Sequence, residues 1–368
     1  MSVSLDRRSR GRGRLLAQGL ITRPFATPGD AVRAFGAMQG QELPGALASA
    51  ALRTQEGSIG AVIADLDAGR IVRGYPMRGT LFLMAAEDLL WVSALCNPGT
   101  LKAARKRRGQ LGLTEAHVER AREVAQVVLP DHASGLPRAE LFAHWERAGT
   151  PTAAGCGYHV LAHLIGEGDL CFGPWNGADQ NVVTTAQWLP AGTGLDQRFN
   201  GDSVPATAEL LRRYLSSHGP ATLRDFAWWT KLPLRDIRPA HALVAAEFES
   251  GTGAGTEAEY WRPGLVNDLS EAGSAVKRPL LLPGFDEFIL GYADRLFAMT
   301  AEQHDLLVPG NNGVFGRSVV VDAQVRGLWK RAGSPGRRTL EVSAIRPLPA
   351  RTVKTLDAVF ARFPFVGP

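Results

Sequence analysis

The feature that most constrains this chain is a recurring order of elements: short helices, then a pair of short strands, then short helices again. Thr27 or Asp30 is placed to cap a helix over 31–38, with Val32 and Phe35 on one face. Pro44 suits the first turn of a second helix reaching Arg53. Ser58 caps a third through Leu66, which Gly69 ends. The stretches 70–75 and 79–83 then read as two strands about a turn. A second pass predicts helices over 114–129, 136–148 and 155–166, followed by a strand over 169–172. A third pass predicts helices over 205–218 and 223–229, with Gly219-Pro220-Ala221-Thr222 as turn and cap between them, and a further helix from Leu232 to Phe248. A repeat of roughly 90 to 100 residues is too long for a solenoid.

Three helices followed by a β-hairpin is the winged-helix order, and the short helix, turn, helix spacing at 205–248 suits a helix-turn-helix. Past Gly251 the texture changes. Glycine and proline rise, and strands are predicted over 278–282, 318–322, 325–330 and 339–345, with a closing helix over 356–363. The expected fold class is therefore α+β and mainly helical: three tandem winged-helix domains with a C-terminal β-rich module. The boundaries predicted are a disordered basic arm over 1–13, winged helices over 14–110, 111–200 and 201–265, and the β-rich module over 266–368.

Composition narrows the function classes. A hydrophobic fraction of 45% over 368 residues is enough to build several cores without a metal or disulfide staple. The three cysteines, Cys96, Cys156 and Cys171, are scattered, which supports neither a disulfide framework nor a zinc site. His159 and His163 stand four apart but lack a third ligand, so no metal and no cofactor are expected. No apolar run has the length of a membrane span, and the run after Arg14 is too short for a secretory leader, so the expected location is cytoplasmic and nucleoid-associated. Hydrolase and nucleotide-binding signatures such as GxSxG, HExxH and the phosphate-binding loop are absent from the sequence.

The net charge of +5 is modest, but its distribution is not. Arg7, Arg8, Arg10, Arg12 and Arg14 crowd one cluster. Lys102, Arg105, Lys106, Arg107 and Arg108 form a second, and Lys330, Arg331, Arg337 and Arg338 a third. Clustered cations are the electrostatic footprint of an anionic polymer. The partner expected is double-stranded DNA, bound by a monomer, since no coiled coil or dimer helix stands out.

Several segments together carry a resemblance. They are Met38-Gln39-Gly40-Gln41, Tyr75-Pro76-Met77-Arg78-Gly79-Thr80-Leu81, the run from Ser217 through Trp228-Trp229, and Leu281-Leu282-Pro283-Gly284-Phe285-Asp286-Glu287 with Asp294-Arg295. In this order they resemble the bacterial winged-helix DNA glycosylases related to AlkZ and YcaQ, over about residues 14 to 366. The resemblance implies a C-shaped protein that removes alkylated bases by a monofunctional route, including N7-alkylpurines and interstrand crosslinks. It implies that Gln39 and Gln41 match the family's Gln-x-Gln. The YcaQ type carries Asp at the second position, so Gln41 aligns this chain with the AlkZ type. Amides are weak bases, but each offers an acceptor and two donors, enough to orient a water. An N7-alkylpurine already carries positive charge, so the leaving group needs little help.

Arg78 and Thr80 are candidate phosphate or lesion contacts. Phe82 stands where relatives commonly carry His. His218 is read as a capping or core residue, a candidate for support of the site. Asp286 and Arg295 are expected to form a buried ion pair. The rival reading is a non-catalytic winged-helix DNA-binding protein, a transcription regulator or resistance factor.

Overall fold

A computed structural model describes residues 3–252, 257–311, 313–334 and 336–367. The chain forms two units: one from Ile63–Leu210, the other from residues up to Val62 together with those from Leu211 onward.

In the Ile63–Leu210 unit, strands Thr80–Ala85, Ile71–Met77, Leu170–Trp175 and Gln180–Thr184 neighbour one another in that order, all antiparallel. The first hairpin turns on Arg78 and Gly79, with φ of 58° and 68°. A two-residue turn with both φ positive matches the twist of the strands it joins, and glycine suits its second position. Helices Glu115–Val128, Arg138–Arg147 and Cys156–Glu167 precede the second hairpin, the order expected from sequence. Thr114 caps the first of these in a reciprocal box with His117. Val118, Ala121 and Ala125 form its inner stripe, and meet Leu141, Trp145, Val160 and Leu164 in one core. Trp145 Nε1 satisfies its buried N–H on the Ala121 carbonyl at 2.9 Å.

The other unit carries two further sheets. Val3–Ser4 pairs in parallel with Glu249–Thr252, which pairs antiparallel with Ala258–Trp261. Leu280–Leu282, Ser318–Val321, Gln324–Ala332 and Thr339–Ala344 form an antiparallel sheet, and helix Ala350–Phe360 follows it. These are the strands and closing helix expected of the C-terminal module, shifted by a few residues. Helix Leu223–Thr230 is capped by Thr222 and Asp225 reciprocally.

Two expectations fail. Of the disordered arm expected over 1–13, residues 1 and 2 lie outside the described residues, and the rest is ordered: a strand at Val3–Ser4 leads into helix Arg7–Ala17, capped by Asp6 through the Ser9 N–H at 2.7 Å. Its glycines are close-approach residues rather than linker residues. A Cβ on Gly11 would sit 3.0 Å from Ala323 Cβ, and one on Gly13 3.0 Å from Pro220 Cδ. Its arginines face partners. Arg10 pairs with Glu259 at 2.6 Å, Arg12 with Asp322 at 2.6 Å, and Arg14 lies 3.7 Å over the Tyr292 ring. The second failure is the helix placed over 31–38. It runs over Pro28–Phe35 and stops at Gly36, φ 78°, so Met38–Gln39 is strand.

Candidate functional site

Gln39 lies at the end of this short strand, and helix Leu43–Ala51 starts four residues on. Glu42, expected to be a solvated helix-end carboxylate, caps that helix by accepting the Gly45 N–H at 2.9 Å. Gln39 is buried and Gln41 exposed. The Gln39 backbone N–H donates to Glu287 Oε1 at 2.6 Å, and its own side-chain Oε1 accepts the Gly40 N–H at 3.1 Å. Both bonds fix the residue.

Beneath it lies a buried polar network. Glu287 Oε2 stands 3.3 Å from His218 Nε2, and His218 Nδ1 is 2.9 Å from Ser217 Oγ. The His218 ring stacks on Tyr214, centroids 4.4 Å apart and planes 12° from parallel. Burial holds the pKa of His218 below the usual histidine range, against the pull of Glu287. A proton on Nε2 satisfies Glu287, while the Ser217 hydroxyl donates to the Arg213 carbonyl at 2.7 Å.

Asp286 does not pair with Arg295. Its two oxygens take Arg53 Nη2 and Nη1, both at 2.9 Å, and Oδ2 also accepts from Ser49 Oγ at 2.7 Å. Burial would raise the Asp286 pKa, but the Arg53 guanidinium outweighs it and holds the carboxyl below the ordinary range. Arg53 reaches on to Gln18 Oε1 at 2.8 Å, Gln18 Nε2 donates to Tyr292 Oη, and Tyr292 Oη donates to the His218 carbonyl at 2.8 Å. The fork on the carboxylate explains why arginine stands at position 53. Arg295 instead lies over the Trp228 and Phe315 rings, at 4.9 and 5.0 Å.

Sequence reading misses Gln18, Arg53, Glu287 and Tyr292 as members of this network. One signal is available: Asp286 and Glu287 interrupt an otherwise apolar run, and buried acids require partners. The identity of those partners is not local information, since Arg53 and Asp286 are 233 residues apart.

In the other unit, the Arg78 guanidinium lies 5.1 Å over the Phe82 ring, and Thr80 opens the second strand of that hairpin. Helix Pro98–Arg107 has no buried residue. Lys102, Lys106 and Arg107 are exposed on it, Arg105 pairs with Glu167 at 2.6 Å, and Arg108 turns inward to pair with Glu115. Lys330 is exposed and paired with Glu341 at 2.7 Å, whereas Arg331 lies 4.3 Å over the Phe365 ring. Among the described residues, no three His, Cys, Asp or Glu gather as metal ligands, and no helix is long and apolar enough to cross a membrane.

The fold and site define a mixed helix–sheet protein whose buried polar network underlies a strand-borne glutamine. The model of the AlkZ-like DNA glycosylases matches residues 32–364, and the chain belongs to that family of enzymes. The "Interstrand DNA cross-link repair glycosylase" of Streptomyces sahachiroi is 27% identical over 289 residues, 74% of this chain and 73% of that protein. The solved structure of the Streptomyces sahachiroi DNA glycosylase AlkZ covers 98% of this chain and 97% of its own, with a TM-score of 0.74 at 22% identity, so the fold is shared.

Proposed function

We propose that this glycosylase hydrolyses the N-glycosidic bond of N7-alkylated, bulky or crosslinked purines in double-stranded DNA, with Gln39 and Gln41 positioning the attacking water. The observation that carries this reading is the way Gln39 is held. Its backbone is tied to Glu287 and its side-chain oxygen to Gly40. A glutamine fixed at both ends keeps its amide where a water can be aimed, with little reorganisation during reaction. Gln41 follows in the short bend between that strand and helix Leu43–Ala51, and is exposed where a substrate can reach it. A cationic purine departs without a strong base, which suits two amides. The three-helix-and-hairpin order supports tandem winged helices, and the exposed cations of helix Pro98–Arg107 suit a phosphate backbone.

The test is release of N7-methylguanine from methylated duplex. Wild type is expected to release the base. No release by wild type, with tight sequence-selective duplex binding and a dimer in light scattering, establishes the regulator reading instead.

A further inference from the structure

A pocket of about 280 Å³ lies beside the start of helix Leu43–Ala51, among Pro44, Arg317, Arg331, Arg338, Phe363 and Phe365. Three guanidinium groups line it, and they come from separate places in the β-rich module. Arg331 lies on strand Gln324–Ala332 on the same side as Trp329, because the two residues are two apart. Lys330 points to the opposite side and pairs with Glu341. Aromatic faces fix two of the cations: Arg317 lies 5.4 Å over Trp329, and Arg331 lies 4.3 Å over Phe365. Arg338 is held by a hydrogen bond from Nη1 to the Gly333 carbonyl.

Three positive charges here meet one carboxylate. Among the described residues, the acid within ion-pair distance of any of them is Glu42, 4.0 Å from Arg317 Nη2. Its other oxygen already accepts the Gly45 N–H. Burial, and then the neighbouring Arg338 and Arg317, lower the pKa of Arg331. Like charges gathered without matching acids await an anion. The forked donors of arginine match the oxygens of phosphate, and Phe363 and Phe365 give the pocket an apolar wall.

We propose that Arg317, Arg331 and Arg338 form a socket for one phosphodiester of duplex DNA, whose adjoining deoxyribose rests on the phenylalanine wall. This rests on the reading of the chain as acting on duplex DNA, and deepens it. Pro44 lies three residues from Gln41, so a phosphate held here would anchor the strand next to the glutamine pair. Phosphate contacts set register rather than sequence preference.

The experiment is a salt series of unmodified duplex binding by fluorescence anisotropy, wild type beside an R317Q/R331Q/R338Q variant, with melting temperature read in parallel against added inorganic phosphate. The variant is expected to bind roughly tenfold more weakly at low salt, and its slope of log affinity on log salt to be shallower by about 0.9. R338Q alone gives the same readout in part should the triple variant not fold. Unchanged affinity and slope in a folded variant overturn the socket. A phosphate-dependent rise in melting temperature that the variant loses, with duplex binding unchanged, assigns the pocket to free phosphate and overturns the DNA assignment. Base release is not the readout. A shallower slope with no base release in wild type sinks the catalytic reading and keeps the socket, and base release with an unchanged slope does the reverse.

Discussion

Helices Arg7–Ala17 and Pro98–Arg107 look alike as sequence and behave oppositely as structure. Each carries several cations within a few turns. The first turns two of them inward, while Arg7 and Arg8 stay exposed: the Arg10 side chain is 9% exposed against Glu259, and Arg14 is 3% exposed between Asp225 and two aromatic rings. The second buries none of its residues. The difference lies in their partners. Asp225, Glu259 and Asp322 receive the first helix, while Glu167 takes one cation of the second. A cluster of arginines thus joins the core where its neighbours supply acids, and stays exposed where they do not.

This contrast breaks first at its buried end. Arg10→Ala leaves Glu259 buried without its partner, and denaturant melts are expected to show a loss of about 3 kcal/mol. The salt slope of duplex binding should stay as it is. A mild effect on stability with a shallower slope would make the first helix a DNA contact after all.

A smaller effect separates the units by pH. Burial, with help from Arg108 and Arg105, lowers the pKa of His163 from 6.5 to about 4. The unfolded chain therefore takes up this proton first. Stability present above pH 6.5 should be lost as pH falls toward 4, and no further below that. His163→Gln should make this decline shallower in melting curves taken across pH; an identical decline would show that other groups govern it.

The smallest effect on stability belongs to the exposed helix. K102Q, K106Q and R107Q together are expected to shift stability by under about 0.5 kcal/mol. Each DNA phosphate that these side chains no longer neutralise should flatten the salt slope of duplex binding by about 0.9. A steep slope retained in the triple variant removes this helix from the DNA interface.

What is legible in the sequence follows the range of the physics. Local signals are the reliable ones. Thr27, Thr114 and Thr222 each cap the helix expected after them, and Arg78-Gly79 makes the expected hairpin turn. Long-range pairing does not show. The sequence offers Asp286 a cation nine residues on, at Arg295, while its true partner Arg53 carries no mark beyond the end of an alanine-rich helix. The first helix has the composition of a tail because Gly11 and Gly13 read as linker residues until Ala323 and Pro220 are seen against them. Gln39 and Gln41 are legible through the family resemblance, but the strand setting of Gln39, and the Glu287–His218 pair under it, require the fold.

The central claim is that Gln39 acts on chemistry from a fixed position rather than on DNA affinity. Single-turnover release of N7-methylguanine, with enzyme in excess over methylated duplex, tests it directly in wild type, Gln39→Ala and Gln41→Ala. The account predicts that each variant loses release by on the order of a hundredfold, while anisotropy shows duplex affinity within a factor of about two of wild type. Undiminished release by the variants, or a drop matched by an equal drop in affinity, would contradict it.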